Sequence, residues 1–194
     1  SAYDIFSKML LRKYVKFCFK LIFFVAFVIL MRSVYLTIST FAPDFSVMWV
    51  GAKSLLMGGN PYKEPGLFTG IGYPPNSLLF YILLAFLPYK IAQGIFVSLS
   101  ALTIFGIVLL SFKALNKKYS GLTGLLIVSS LAIFSFPVKF TIGMGQNNLI
   151  VYLLLVLTYL FYKTNRKIEA GIIFGIAVSL KTIFVYFLLF FLFK

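Results

Sequence analysis

The chain is 194 residues long, 61% apolar and 11% charged, with a mean hydropathy of +1.03. Soluble domains are about 45–50% apolar and about 25% charged, so a soluble globular fold is excluded, and the lack of ten-residue segments alternating apolar with polar excludes a β-barrel. The net charge of +14 sits in cations gathered at the ends of apolar runs, the distribution of membrane anchors and not of a nucleic-acid surface; with no His and one Cys, Cys18, the chain offers no internal disulfide, zinc site or His-based proton transfer.

Lys8, Arg12, Lys13, Lys16 and Lys20 recur every three or four residues, so 1–16 reads as a basic amphipathic segment. It suits an anionic cytoplasmic leaflet, at about 1 kcal/mol per cation. The run from Phe17 to Ile38 reaches the roughly 20 residues needed to cross a bilayer core and lacks a small-residue cleavage site, so it reads as a retained span. Arg32 snorkels from its far end. An outer loop, 40–90, follows. In it Asp44, after Pro43, is placed to cap a helix running to about Leu56, which Gly58-Gly59-Asn60-Pro61 stops. Asn76 to Leu87 is apolar but about twelve residues long, too short to span, and reads as an interfacial or half-buried helix. Four further spans are expected at Ile91–Phe112, Gly121–Val138, Gln146–Tyr162 and Glu169–Phe193.

Charge asymmetry sets the orientation. With the amino terminus inside, eleven cations fall on the inner side and four (Lys53, Lys63, Lys90 and Lys139) on the outer side. Counting Asn76–Leu87 as a span would turn the Lys163–Lys167 cluster outward, against the positive-inside rule. The expected fold is therefore an all-α polytopic membrane protein, a single transmembrane domain over 1–194. It has about five transmembrane helices, plus one or two juxtamembrane helices in the first outer loop. The last span closes at Lys194 with no soluble tail, which suggests part of a longer protein or a subunit that needs a partner.

Asp44 to Asn76 is the one long stretch that is neither a span nor a cation cluster. It holds two of the four acidic residues, the only Trp (Trp49) and six of the fourteen glycines, and with Pro43 it holds five of the seven prolines. A polar, turn-rich segment kept beside a span in so apolar a chain points to a site. Asp44 and Glu64 are the two carboxylates on the outer side. Asp44 has two readings, a helix cap or a general base at a membrane-edge cavity. Gly143-Met144-Gly145-Gln146-Asn147-Asn148 puts three amides in a row at the outer end of two spans, either as a capped glycine turn or facing protein, substrate or water. Lys181 lies about twelve residues into an apolar run, where a cation costs roughly 2.5–3.5 kcal/mol. It either snorkels to the outer headgroups or faces a polar cavity or an anion.

The ordered set Asp44-Phe45-Ser46-Val47-Met48-Trp49, Gly58 to Tyr62, Tyr73-Pro74-Pro75, Gly145-Gln146-Asn147 and Leu180-Lys181-Thr182 resembles glycosyltransferase family 87. The resemblance runs from about residue 40 to 183. It implies a GT-C-like membrane enzyme that takes a hexose, typically mannose, from a polyprenyl-phosphate sugar to a lipid or glycan acceptor on the outer face. The transfer would be inverting, with neither metal nor nucleotide sugar and with no cofactor besides the lipid-linked donor. Asp44 would be the base. Lys181 would stabilise the leaving phosphate, with Gln146, Asn147 and Tyr73 holding the donor. Trp49, Tyr62, Asn60 and Glu64 are further candidate sugar contacts, packing being the alternative for the aromatics. Members of the family are about twice this length, so a carboxy-terminal half or partner subunit would complete the cavity.

Two readings from other classes stand beside the enzyme. A small transporter or flippase would line a pathway with Lys181 and the amides, although no internal repeat of the kind such proteins show is evident. A non-catalytic membrane subunit is the third. Membrane lipids are partners in all three, and nucleic acid in none.

Overall fold

The computed structural model describes residues 2–63, 72–115, 121–187 and 189, with side chains from Lys13 onward. Among the described residues every regular element is helical: α1 (Ala2–Ser39), α2 (Pro43–Leu56), a 3-10 turn (Pro61–Lys63), α3 (Pro75–Ala85), α4 (Tyr89–Leu115), α5 (Leu122–Phe134), α6 (Phe136–Met144), α7 (Asn148–Lys163), α8 (Lys167–Leu180) and a second 3-10 turn (Thr182–Tyr186). Lys13–Ser39 and Tyr89–Leu115 are each 27 residues long and strongly apolar. At 1.5 Å per residue each spans about 40 Å, more than the roughly 30 Å hydrocarbon core. Phe24, Leu99, Leu102 and Leu109 project outward from them unburied, as lipid-facing side chains do. This is an all-α polytopic membrane protein.

The later segments depart from the straight spans expected for them. Gly121–Val138 is not one helix: α5 and α6 meet at a 61° bend, with Ser135 extended between them (φ −66°, ψ 140°). Pro137 is the cause, because its ring clashes with the carbonyl four residues back and it has no N–H to continue the ladder. The α5–α6 pair counts as a third crossing only if taken as one bent span. α7 has 16 residues and reaches about 24 Å, short of the hydrocarbon core. Glu169–Phe193 is not continuous either. The α-helix ends at Leu180 and Lys181 is extended (φ −152°, ψ 102°) before the 3-10 turn begins. That break frees the Leu180 carbonyl, which accepts from the Asn147 side chain at 3.3 Å. A backbone break at membrane depth is tolerable only where such a partner exists.

α2 does run to Leu56, and Gly58 beyond it is left-handed (φ +75°). The Gly59 N–H returns to the Ser54 carbonyl at 2.9 Å, closing the helix end. α3 is an 11-residue apolar helix, as read for the segment after Tyr73-Pro74-Pro75.

Packing falls into three groups. Phe45, Val47, Met48, Leu78, Tyr81 and Phe96 join α2, α3 and α4. Ala26, Leu30, Ala101, Ile104, Ile133 and Ile142 join α1, α4, α5 and α6. Val151, Ala177, Leu180 and Phe184 join α7 to α8 and the turn after it. The end of α1 is tied to the start of α4: Lys90 donates to the Ile38 and Thr40 carbonyls, and Gln93 to that of Thr37. These bonds satisfy terminal carbonyls that the helix itself leaves open, and they fix where α2 begins.

Candidate active site

α2 starts one residue earlier than its cap would require. Pro43 occupies its first position and Ala42 is the N-cap, with no side-chain capping bond. Proline is pre-set for that first position and has no N–H to lose, so Asp44 becomes the second helical residue and is not the cap. Its carboxylate is free to face another element, and the helix N-terminus favours its negative charge.

The facing element is the turn between α6 and α7. Gly145 there is left-handed (φ +68°), and a Cβ on it would stand 2.7 Å from Phe45 Cβ and 2.9 Å from Ala42 Cβ. Only glycine allows both the conformation and the approach. Phe45 is fully buried, its ring packed on Phe96 at 5.0 Å and Tyr89 at 5.8 Å, so α2 is held rigidly against this turn.

Across that contact, Gln146 Nε2 donates to Asp44 Oδ2 at 2.6 Å. Asn148 Nδ2 donates to Gln146 Oε1 at 2.6 Å and lies 3.4 Å from Thr141 Oγ1. Lys181 Nζ, on the extended residue after α8, donates to Asn148 Oδ1. The result is a chain of three hydrogen bonds from an ammonium to a carboxylate. Each amide has its oxygen toward the cation and its NH2 toward the anion, the orientation that favours both charges. Asp44, Gln146, Asn148 and Lys181 are all partly accessible. Among the described residues Asp44 Oδ1 accepts no hydrogen bond, so it is the oxygen left for a ligand.

The remaining candidates divide. Tyr73 is partly buried on the first packing group. Burial first, and the Asp44 charge second, push its phenol above the ordinary value of 10.0, so near neutrality it is an uncharged donor within electrostatic reach of the carboxylate. Tyr62 donates to the Tyr73 carbonyl at 3.1 Å, and Asn60 Oδ1 accepts from the Tyr62 N–H at 3.0 Å. Both residues are exposed, and Tyr62 ties the Pro61–Lys63 turn to the backbone of Tyr73. Asn147 is 2% exposed and its amide holds the Leu180 carbonyl. Trp49 lies five residues beyond Asp44, about 140° round the helix. Its Nε1 donates to the Leu84 carbonyl at 3.1 Å and its ring stands edge-on to Tyr89 at 5.5 Å, with the Lys53 ammonium 5.5 Å above it. It borders a separate pocket of about 170 Å³ with Lys53, Ser54 and Met57. Glu64 lies outside the described residues. Asn148 and Gly145 enter the sequence reading only as members of the amide run and its glycine turn, with no individual role; the run of three amides after a glycine is the signal the sequence carries for them.

The arrangement joins a carboxylate with an open oxygen to an ammonium through a chain of hydrogen bonds, with a neutral phenol within electrostatic reach of the carboxylate. Such a set accepts a proton at one end and holds an anion at the other. No curated protein and no solved structure matches the chain. The family model for glycosyltransferase family 87 matches residues 71–194. That segment carries Tyr73, the amide turn and Lys181, and it reaches Asp44 through Gln146. With nearly two thirds of its length matched, the chain belongs to glycosyltransferase family 87, a family of membrane glycosyltransferases.

Proposed function

We propose that the chain transfers a hexose, most simply mannose, from a polyprenyl-phosphate sugar to a hydroxyl of a lipid or glycan acceptor at the outer face of the cytoplasmic membrane. The observation that carries this reading is the hydrogen-bonded chain from Lys181 to Asp44. It sets a base and an anion-binding cation at opposite ends of one site. The acceptor hydroxyl loses its proton to Asp44 Oδ1 as its oxygen attacks the anomeric carbon. The bond from that carbon to the phosphate oxygen breaks on the opposite side, with inversion, and polyprenyl phosphate leaves. Its added negative charge is met by Lys181, so no acid is needed to protonate the leaving oxygen. Gln146 fixes Asp44, and Tyr73 donates a hydrogen bond to the donor sugar or phosphate. The eleven inner cations against four outer ones support the outward-facing orientation.

The test is to incubate membranes containing the product of the natural reading frame with radiolabelled polyprenyl-phosphate mannose. The expected result is a labelled glycolipid or glycan of inverted anomeric configuration that is absent with Asp44→Asn. Equal label from the Asp44→Asn protein, or vesicle transport of the labelled lipid with no glycosidic product, would overturn the reading, the second in favour of a flippase.

A further inference from the structure

We infer that Asn148 is a positioning residue that locks the carboxylate and the cation of the site into one directed chain; this rests on the function proposed above. Asn148 is the member bonded toward both charges, accepting from Lys181 Nζ and donating to Gln146 Oε1 at 2.6 Å. It is the first residue of α7, immediately after the buried Asn147, so its backbone does not drift. A planar amide is the side chain this position needs. It accepts on one side and donates on the other, so the polarity set by Lys181 passes unbroken to Gln146. A carboxylate would accept at both ends, and a hydrocarbon at neither. Without Asn148 the terminal torsion of Gln146 is free to turn, because such torsions have broad minima. Asp44 Oδ2 then loses its fixed donor, and Lys181 loses the acceptor that aims it.

Single and double variants of the full chain in lipid nanodiscs test this. With polyprenyl-phosphate sugar as donor, Asn148→Ala lowers kcat by about 10–100-fold, the effect of losing one charge-assisted hydrogen bond. The isosteric Asn148→Asp, which keeps the packing but cannot donate to Gln146, loses a comparable factor. In a Gln146→Ala background, Asn148→Ala costs clearly less than it does alone, because the link to Asp44 is already cut and only the aim of Lys181 remains to be lost. A readout without turnover is binding of polyprenyl phosphate alone: Asn148→Ala weakens it about tenfold, and that loss vanishes when Lys181 is already Met. Wild-type kcat in Asn148→Asp, or losses that simply multiply in either double variant, would overturn the inference while leaving the function intact. Full turnover by Asp44→Asn, or no affinity of the unaltered chain for polyprenyl phosphate, would instead remove the functional reading on which it stands.

Discussion

Single side chains carry the proposed chemistry, and their sequence signals differ in quality. Asp44 stood out because it is one of four acids in the chain, and Lys181 because a cation deep in an apolar run is costly. The family resemblance puts the two in one site, but the hydrogen-bonded chain that links them is not legible in the sequence, since its bonds cross 102 and 33 residues of chain. Trp49 invites a role in sugar stacking, yet its indole is engaged by the Leu84 carbonyl, Tyr89 and Lys53. Trp49→Phe is therefore expected to lower thermal stability by about 1 kcal/mol, the worth of one hydrogen bond. The donor KM should stay within about twofold, and a KM rise beyond about tenfold would return Trp49 to the substrate site. Tyr73 gives a pH prediction. Its pKa is raised in the fold, so the stability of its neutral form is complete below the unfolded value near 10 and is lost as pH rises through the folded value. A 295-nm difference titration of the chain against Tyr73→Phe should place the missing phenol above 10; a step at or below 10 would contradict the buried placement.

At the scale of elements, helices were legible where local rules decide them. α2 ends at its glycines, α3 is too short to cross, and Pro137 marks the bend that a hydropathy reading alone passes over. The end of α8 at Leu180 was not legible. Nothing in Leu180-Lys181-Thr182 forbids a helix; the break stands because Asn147, from the α6–α7 turn, takes the freed carbonyl. The same holds for the approach of α2 to the α6–α7 turn, which depends on Gly145. Gly145→Ala meets backbone strain at φ +68° and two Cβ atoms inside 3 Å. It is expected to cost about 1–3 kcal/mol and, by pushing Gln146 from Asp44, to lower kcat more than donor affinity. Unchanged melting and unchanged kcat would show that the two elements do not touch as described.

For the whole molecule, composition and charge already specified an all-α membrane protein, because 61% apolar residues have no aqueous fold to cover them. How segments share the bilayer was less legible, since a bent pair and two short helices replace three straight spans. The proposed orientation rests on cation placement and is tested by labelling intact cells in a Cys18→Ser background. A cysteine at Lys63 should react with a membrane-impermeant maleimide from outside, and one at Lys163 should not; the reverse pattern would put the site on the cytoplasmic face. The most direct test of the central claim is steady-state kinetics of Asp44→Asn and Lys181→Met with polyprenyl-phosphate sugar as donor. Asp44→Asn is expected to lose about 10²–10⁴-fold in kcat with donor KM unchanged, as for a positioned base. Lys181→Met is expected to raise donor KM by about 10–100-fold as an anion contact is lost. Turnover of Asp44→Asn within about threefold of the unaltered chain would contradict the assignment of that carboxylate as the base.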